Sequence, residues 1–98
     1  MKSYVEKIRE SVPTLVVFEH AGMNDAVEVK YLVKTLREKF DGKANVETVD
    51  SSYNGNLKMK YKLQEYPTYI LFKEGQELMR EAGSKTEAKL EEMIQTAL

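Results

Sequence analysis

Tyr61-Lys62-Leu63-Gln64-Glu65-Tyr66-Pro67-Thr68-Tyr69-Ile70-Leu71-Phe72-Lys73-Glu74-Gly75 is the stretch on which the fold turns. Tyr69-Ile70-Leu71-Phe72 is an unbroken apolar run, as a strand covered on both faces requires. Glu74-Gly75 is a tight-turn signal, and Gln76 to Ala82 returns as an edge strand rich in charge. Upstream, Leu57 and Tyr61 stand at i and i+4, which predicts a short helix over 57–63. Pro67 separates that helix from the strand and sets a corner between them.

Outward from this stretch the elements keep alternating. Ser51 to Gly55 is turn chemistry, and Val46 to Asp50 reads as a short strand. Val29, Leu32, Val33, Leu36 and Phe40 form the stripe of a long helix. Asp25 with Glu28 resembles a capping box at its start, and Gly42 lies where a glycine stop belongs. Leu15-Val16-Val17-Phe18 is a second unbroken apolar run. Tyr4, Val5 and Ile8 predict a short amphipathic helix that Pro13 ends. Toward the C-terminus, Ser84 with Glu87 gives another capping-box pattern. Leu90, Met93, Ile94 and Ala97 supply the apolar face of a final helix. The order is α-β-α-β-α-β-β-α. The β-α-β crossover requires a parallel pair and the hairpin adds antiparallel strands. An α/β fold of three layers follows, with one mixed four-stranded sheet between helices.

Composition bounds the chemistry. Ninety-eight residues suit one domain over 1–98, with a core sustained without disulfides. There is no cysteine, which excludes a thiolate nucleophile, a Cys-ligated zinc and an iron–sulfur cluster. Fifteen basic against sixteen acidic side chains leave a formal charge of −1, no footprint for nucleic acid or an anionic membrane. No run approaches the roughly 20 apolar residues of a membrane span. The charged stretch Met1 to Glu10 has no signal-peptide pattern, so a cytoplasmic chain is expected. The oligomeric state is not legible.

Two segments resemble thioredoxin. Thr14 to Ala26 is similar to the family's strand, active-site loop and helix start. Tyr61 to Gly75 is similar to its tyrosine, cis-proline at Pro67, Thr68, apolar strand and hairpin. Gly83 falls where the family has a glycine after the last strand. The resemblance runs from Lys2 to Leu98 and implies four strands, because the family's extra N-terminal strand has no counterpart. The family's Trp-Cys-Gly-Pro-Cys motif falls on Gly22-Met23-Asn24-Asp25-Ala26, and its buried acid on Val17. Both cysteines, the tryptophan and the acid are therefore absent together.

Thiol–disulfide exchange needs a thiolate to attack and a second thiol to resolve the mixed disulfide. Met23 has no ionisable S–H and Ala26 cannot resolve, so the chain lacks that chemistry. The resemblance implies a non-catalytic module that holds a protein or extended peptide through the loop His20 to Ala26, the Tyr66-Pro67 backbone and Gly83. It predicts an exposed apolar patch around Met23 and Tyr66. The alternative is a member of an oxidoreductase lineage whose cysteines were lost or engineered out. Cysteines at positions 23 and 26 in the source genome's own copy would mark the second case.

Other candidates have plainer readings. Pro67 either presents the Tyr66 backbone to a peptide or only shapes a turn. Met23 is an adaptable contact or a residue that drifted once catalysis was lost. Asn24 and Asp25 read as helix caps. His20, the only histidine, has no thiol or second histidine to make a catalytic or metal site. No metal or other cofactor is expected. Lys58, Lys60 and Lys62 read as a solvated face. Tyr61 and Tyr69 are expected in the core, and Tyr53 and Tyr66 at the surface.

Overall fold

A computed structural model describes residues 3–98; Met1 and Lys2, where the charged N-terminal stretch and the resemblance begin, lie outside the described residues. The elements are α1 (Tyr4–Lys7), β1 (Thr14–Glu19), α2 (Ala26–Lys39), β2 (Asn45–Asp50), α3 (Gly55–Tyr61), β3 (Thr68–Lys73), β4 (Gln76–Ala82) and α4 (Glu87–Gln95). The strands form one mixed sheet in the order β2-β1-β3-β4. β1 and β2 run parallel, and β1–β3 and β3–β4 are antiparallel.

Why β1 and β3 are apolar without a break is visible in the two cores. Alternate side chains of a strand point to opposite faces. Leu15, Val17, Tyr69 and Leu71 join Val29, Val33, Leu36, Leu90, Met93 and Ile94 under α2 and α4. Val16, Phe18, Ile70 and Phe72 face the other way, toward Tyr61, Leu63, Tyr4, Ile8 and Leu57 around α1 and α3. The central strands are therefore covered on both faces, as expected of an α/β/α sandwich.

Several ends of elements differ from the sequence reading, each for a tertiary or capping reason. α1 stops at Lys7, well before Pro13. The Ile8 and Glu10 carbonyls accept hydrogen bonds from Gly75 N (2.7 Å) and Glu74 N (2.8 Å) in the β3–β4 turn, so they leave the helical ladder. α3 spans Gly55–Tyr61 instead of 57–63. The Asn54 side chain caps it by accepting from Asn56 N at 3.1 Å, and Lys62 turns left-handed (φ 55°) to end it. Neither expected capping box forms. Asp25 sits at the start of α2, yet its side chain makes no cap bond. It accepts a hydrogen bond from the Ser84 hydroxyl, 59 residues away, and Ser84 lies outside the N-cap position because α4 starts only at Glu87. Thr86 takes that role, accepting from Lys89 N at 3.2 Å.

The Tyr66–Pro67 peptide bond is cis. Pro67 is buried, and its carbonyl accepts from Gly83 N at 2.8 Å just beyond the end of β4. Thr68, 2% exposed, donates its hydroxyl to the Glu65 carbonyl at 2.5 Å. The corner is thus tied on both sides of the proline.

Candidate functional site

The C-terminal end of β1 and the corner before β3 face each other across a shallow groove of about 380 Å³. One wall is the loop His20 to Asp25; Tyr66 and Ser84 form the other. The loop is set by a few polar contacts. Ala21 N donates to Ser52 Oγ at 2.5 Å, Met23 N donates to the His20 carbonyl at 3.2 Å, and Asp25 is held by Ser84. Gly22 takes φ +85°, a conformation that a side chain would strain.

The groove brings together Gly22, Met23, Asn24, Asp25 and Tyr66 of the residues singled out in the sequence. Ala26 begins α2 and faces neighbouring clefts with Glu19 instead. Pro67 lies buried behind Tyr66. Gly83 anchors the corner through Pro67, and the groove is lined by its neighbour Ser84. At φ +81° any side chain at Gly83 would be strained, while the nearest atom to a Cβ there, the Glu65 carboxylate at 3.4 Å, is an ordinary contact. Ser84 and Ser52 were not identified as site residues, since each is joined to the loop only by a long-range contact.

The expected exposed apolar patch is not there. Met23 is half-buried and packs on the large core under α2 and α4. Tyr66 is half-buried against the other core, and its ring lies 5.1 Å from that of His20 at a 39° tilt. Tyr53 is 94% exposed, and Tyr61 and Tyr69 are buried. His20 is exposed; its Nδ1 lies 2.8 Å from the Ala21 carbonyl, which can only accept, so the proton sits on Nδ1. Among the described residues the backbone N–H and C=O of Tyr66 have no backbone partner.

The electrostatics around the loop are acidic. Burial pushes the Glu19 carboxyl above its ordinary value, and the nearby Asp50 charge adds to the effect. Asp50 is lowered, chiefly by its hydrogen bonds to Ser52. Tyr69 pairs with Val17 across β3 and β1. Burial first, then the Asp25 and Glu19 charges, pushes its phenol up to about 12, so it stays neutral. Its hydroxyl is buried without a hydrogen-bond partner among the described residues. Beneath the loop there is consequently a valine and a neutral phenol, and neither moves a proton at neutral pH. No group of three His, Asp or Glu among the described residues is placed to hold a metal ion. With no thiol in the chain, the groove can present hydrogen-bonding backbone, an aromatic surface and carboxylates, but no nucleophile for disulfide exchange.

Comparison with known proteins agrees with this geometry. The family model for thioredoxin matches residues 4–96. A thioredoxin domain-containing protein of Theileria parva is 36% identical over 59 residues, 60% of this chain and 27% of its own length. A thioredoxin of Staphylococcus saprophyticus is 30% identical over 67 residues, 68% of this chain and 64% of its own. The matches therefore span less than two thirds of these relatives. Among solved structures, Fasciola hepatica thioredoxin superimposes with a TM-score of 0.82 at 23% identity, covering 92% of this chain and 85% of that one. The germline-specific thioredoxin Deadhead of Drosophila melanogaster gives 0.84 at 24% identity, covering 97% and 89%.

Proposed function

The chain belongs to the thioredoxin family, and from that premise we propose that it is a non-catalytic binding module for an extended peptide or a protein segment. The observation that carries this reading is the Tyr66 backbone. Among the described residues it has no backbone partner, beside a groove that holds no thiol, while the corner that presents it is tied on both sides of Pro67. An extended segment laid along Tyr66 would gain main-chain hydrogen bonds, as in strand addition. The His20 and Tyr66 rings would cover its apolar side chains, and Asp25 would disfavour an acidic residue at that end. A cytoplasmic location belongs to the same reading. Among the described residues, no helix is long and apolar enough to cross a membrane.

The test is a peptide selected from a displayed random library and titrated into isotope-labelled protein. Amide shifts concentrated at Tyr66, Met23 and Ser84 are expected. Tyr66→Asp should abolish them while the variant keeps its cooperative melt. Equal binding by a folded Tyr66→Asp variant would refute the placement. In a dithiol-driven assay with a disulfide substrate, the parent chain should match the protein-free control, since neither Met23 nor Ala26 can exchange.

A further inference from the structure

The two edges of the sheet are finished differently. On β4 the pairing register shifts between Leu71 and Phe72, and the Arg80 guanidinium bonds Glu77 and the Tyr61 carbonyl (2.8 Å). Irregularity and clamped charge are how an exposed edge is closed. β2 pairs with β1 over all six residues without a shift. Asn45 N bonds the Pro13 carbonyl and Ser51 N the Glu19 carbonyl. In such a ladder alternate residues turn toward the neighbour, so Val46, Thr48 and Asp50 turn their N–H and C=O outward. Arg37 closes the first of these, with Nε on the Val46 carbonyl at 2.7 Å. Thr48 and Asp50 have no such cover among the described residues.

Charge is arranged in rows beside this open half-edge. Thr48 lines a cleft whose charges are Lys30, Lys34 and Arg37 against Glu19 and Glu38, with Tyr31 beside them, so cations are in excess by one. Lys30 and Lys34 are helical i,i+4 neighbours of like charge, a mildly unfavourable pair, and neither has an ion pair among the described residues. Val27 and Tyr31, also i,i+4 on α2, are 64% and 66% exposed. Asp50 lies on the strand itself. Cations on the helix and an acid on the strand match each other when the surface is turned about a twofold axis, which is what an isologous contact needs.

We infer that β2 pairs antiparallel with β2 of a second copy of this chain, about a twofold axis at Val49. This register joins Thr48 of each copy to Asp50 of the other through the outward N–H and C=O groups. Val49 meets Val49 on one face. On the other, each Asp50 carboxylate, whose Oδ1 also accepts from Ser52 N of its own chain at 2.9 Å, enters the partner's cleft beside Lys30 and Lys34, below Tyr31. The Arg37 contact to Val46 is undisturbed, and the Tyr66 side of the groove stays free. So short an edge belongs to the small, weak class of interfaces.

Sedimentation velocity of the whole chain from low micromolar to millimolar concentration tests this. A dimer that grows with concentration is expected. Thr48→Pro removes an outward N–H without touching the β1 ladder and should weaken it at least tenfold. Lys34→Glu, on a solvated helix face, should weaken it several-fold, and adding Asp50→Lys to that variant should restore it. A monomer throughout overturns the inference. So does a dimer indifferent to both Thr48→Pro and Lys34→Glu, which would place the contact elsewhere. If Thr48→Pro does not fold, the Lys34→Glu and Asp50→Lys exchange decides. The Thr48→Pro and Lys34→Glu outcomes do not bear on the peptide reading, whose readout is Tyr66.

Discussion

The loop from His20 to Asp25 and the corner that presents Tyr66, from Glu65 to Thr68, flank one groove, yet they are held in opposite ways. The corner is built into the molecule. Pro67 is buried, Thr68 is 2% exposed, and backbone and hydroxyl bonds tie it to Glu65 and Gly83. The loop is mostly solvated, pinned by Ser52, Ser84 and the half-buried Met23. Thioredoxin-like sequence features persist at the corner and have gone from the loop. A solvated side chain can be exchanged at small cost, whereas a buried residue with a satisfied hydrogen bond, such as Thr68, cannot. The scaffold is therefore whole without the redox residues.

That contrast can be broken or sharpened by measurement. The largest effect is expected directly behind the corner. Ile70→Ala empties a fully buried site on β3 and should cost about 2–5 kcal/mol in urea unfolding. A smaller loss would mean that the second core collapses around the gap. Next come paired substitutions across the groove. Thr68→Val leaves the Glu65 carbonyl without its donor and should cost about 1–2 kcal/mol, while Asn24→Ala in the loop should stay within about 0.5 kcal/mol. Equal losses would erase the distinction between the two walls.

Tyr69→Phe should run the other way. The phenol hydroxyl is buried and unpartnered, so its removal relieves a desolvation cost and is expected to stabilise by about 1 kcal/mol. A clear loss of stability would reveal an internal partner such as a bound water. The smallest effect is a pH dependence at Glu19, next to the loop. Its folded pKa is raised by burial. Below the unfolded value, near 4.5, both states hold the proton and nothing is lost. As pH rises past it, the unfolded chain ionises first and stability falls until the folded carboxyl has also ionised. Glu19→Gln should thus melt like the parent at pH 4 and slightly higher at pH 7. The reverse trend would mean that a cation compensates Glu19.

Much of this was legible along the chain because it depends on neighbours in sequence. Apolar runs at Leu15–Phe18 and Tyr69–Phe72 required a sheet covered on both faces, and the stripe from Val29 to Phe40 required a long helix. The site was legible only as positions. That Met23 would plug a core, that Tyr66 would lean on His20, and that Ser84 would bond Asp25 depend on contacts between distant segments. No local pattern encodes these.

Sequence alone determined the class of fold, the order of its elements and the absence of thiol chemistry, because hydrophobic period, turn residues and side-chain chemistry are local properties. Tertiary structure decided where α1 ends, which residues cap α2 and α4, which face of the groove is open, and that β2 is left with an unfinished edge. Those outcomes follow from which backbone and side-chain groups find partners once the chain has folded, and partnering is a property of the whole molecule.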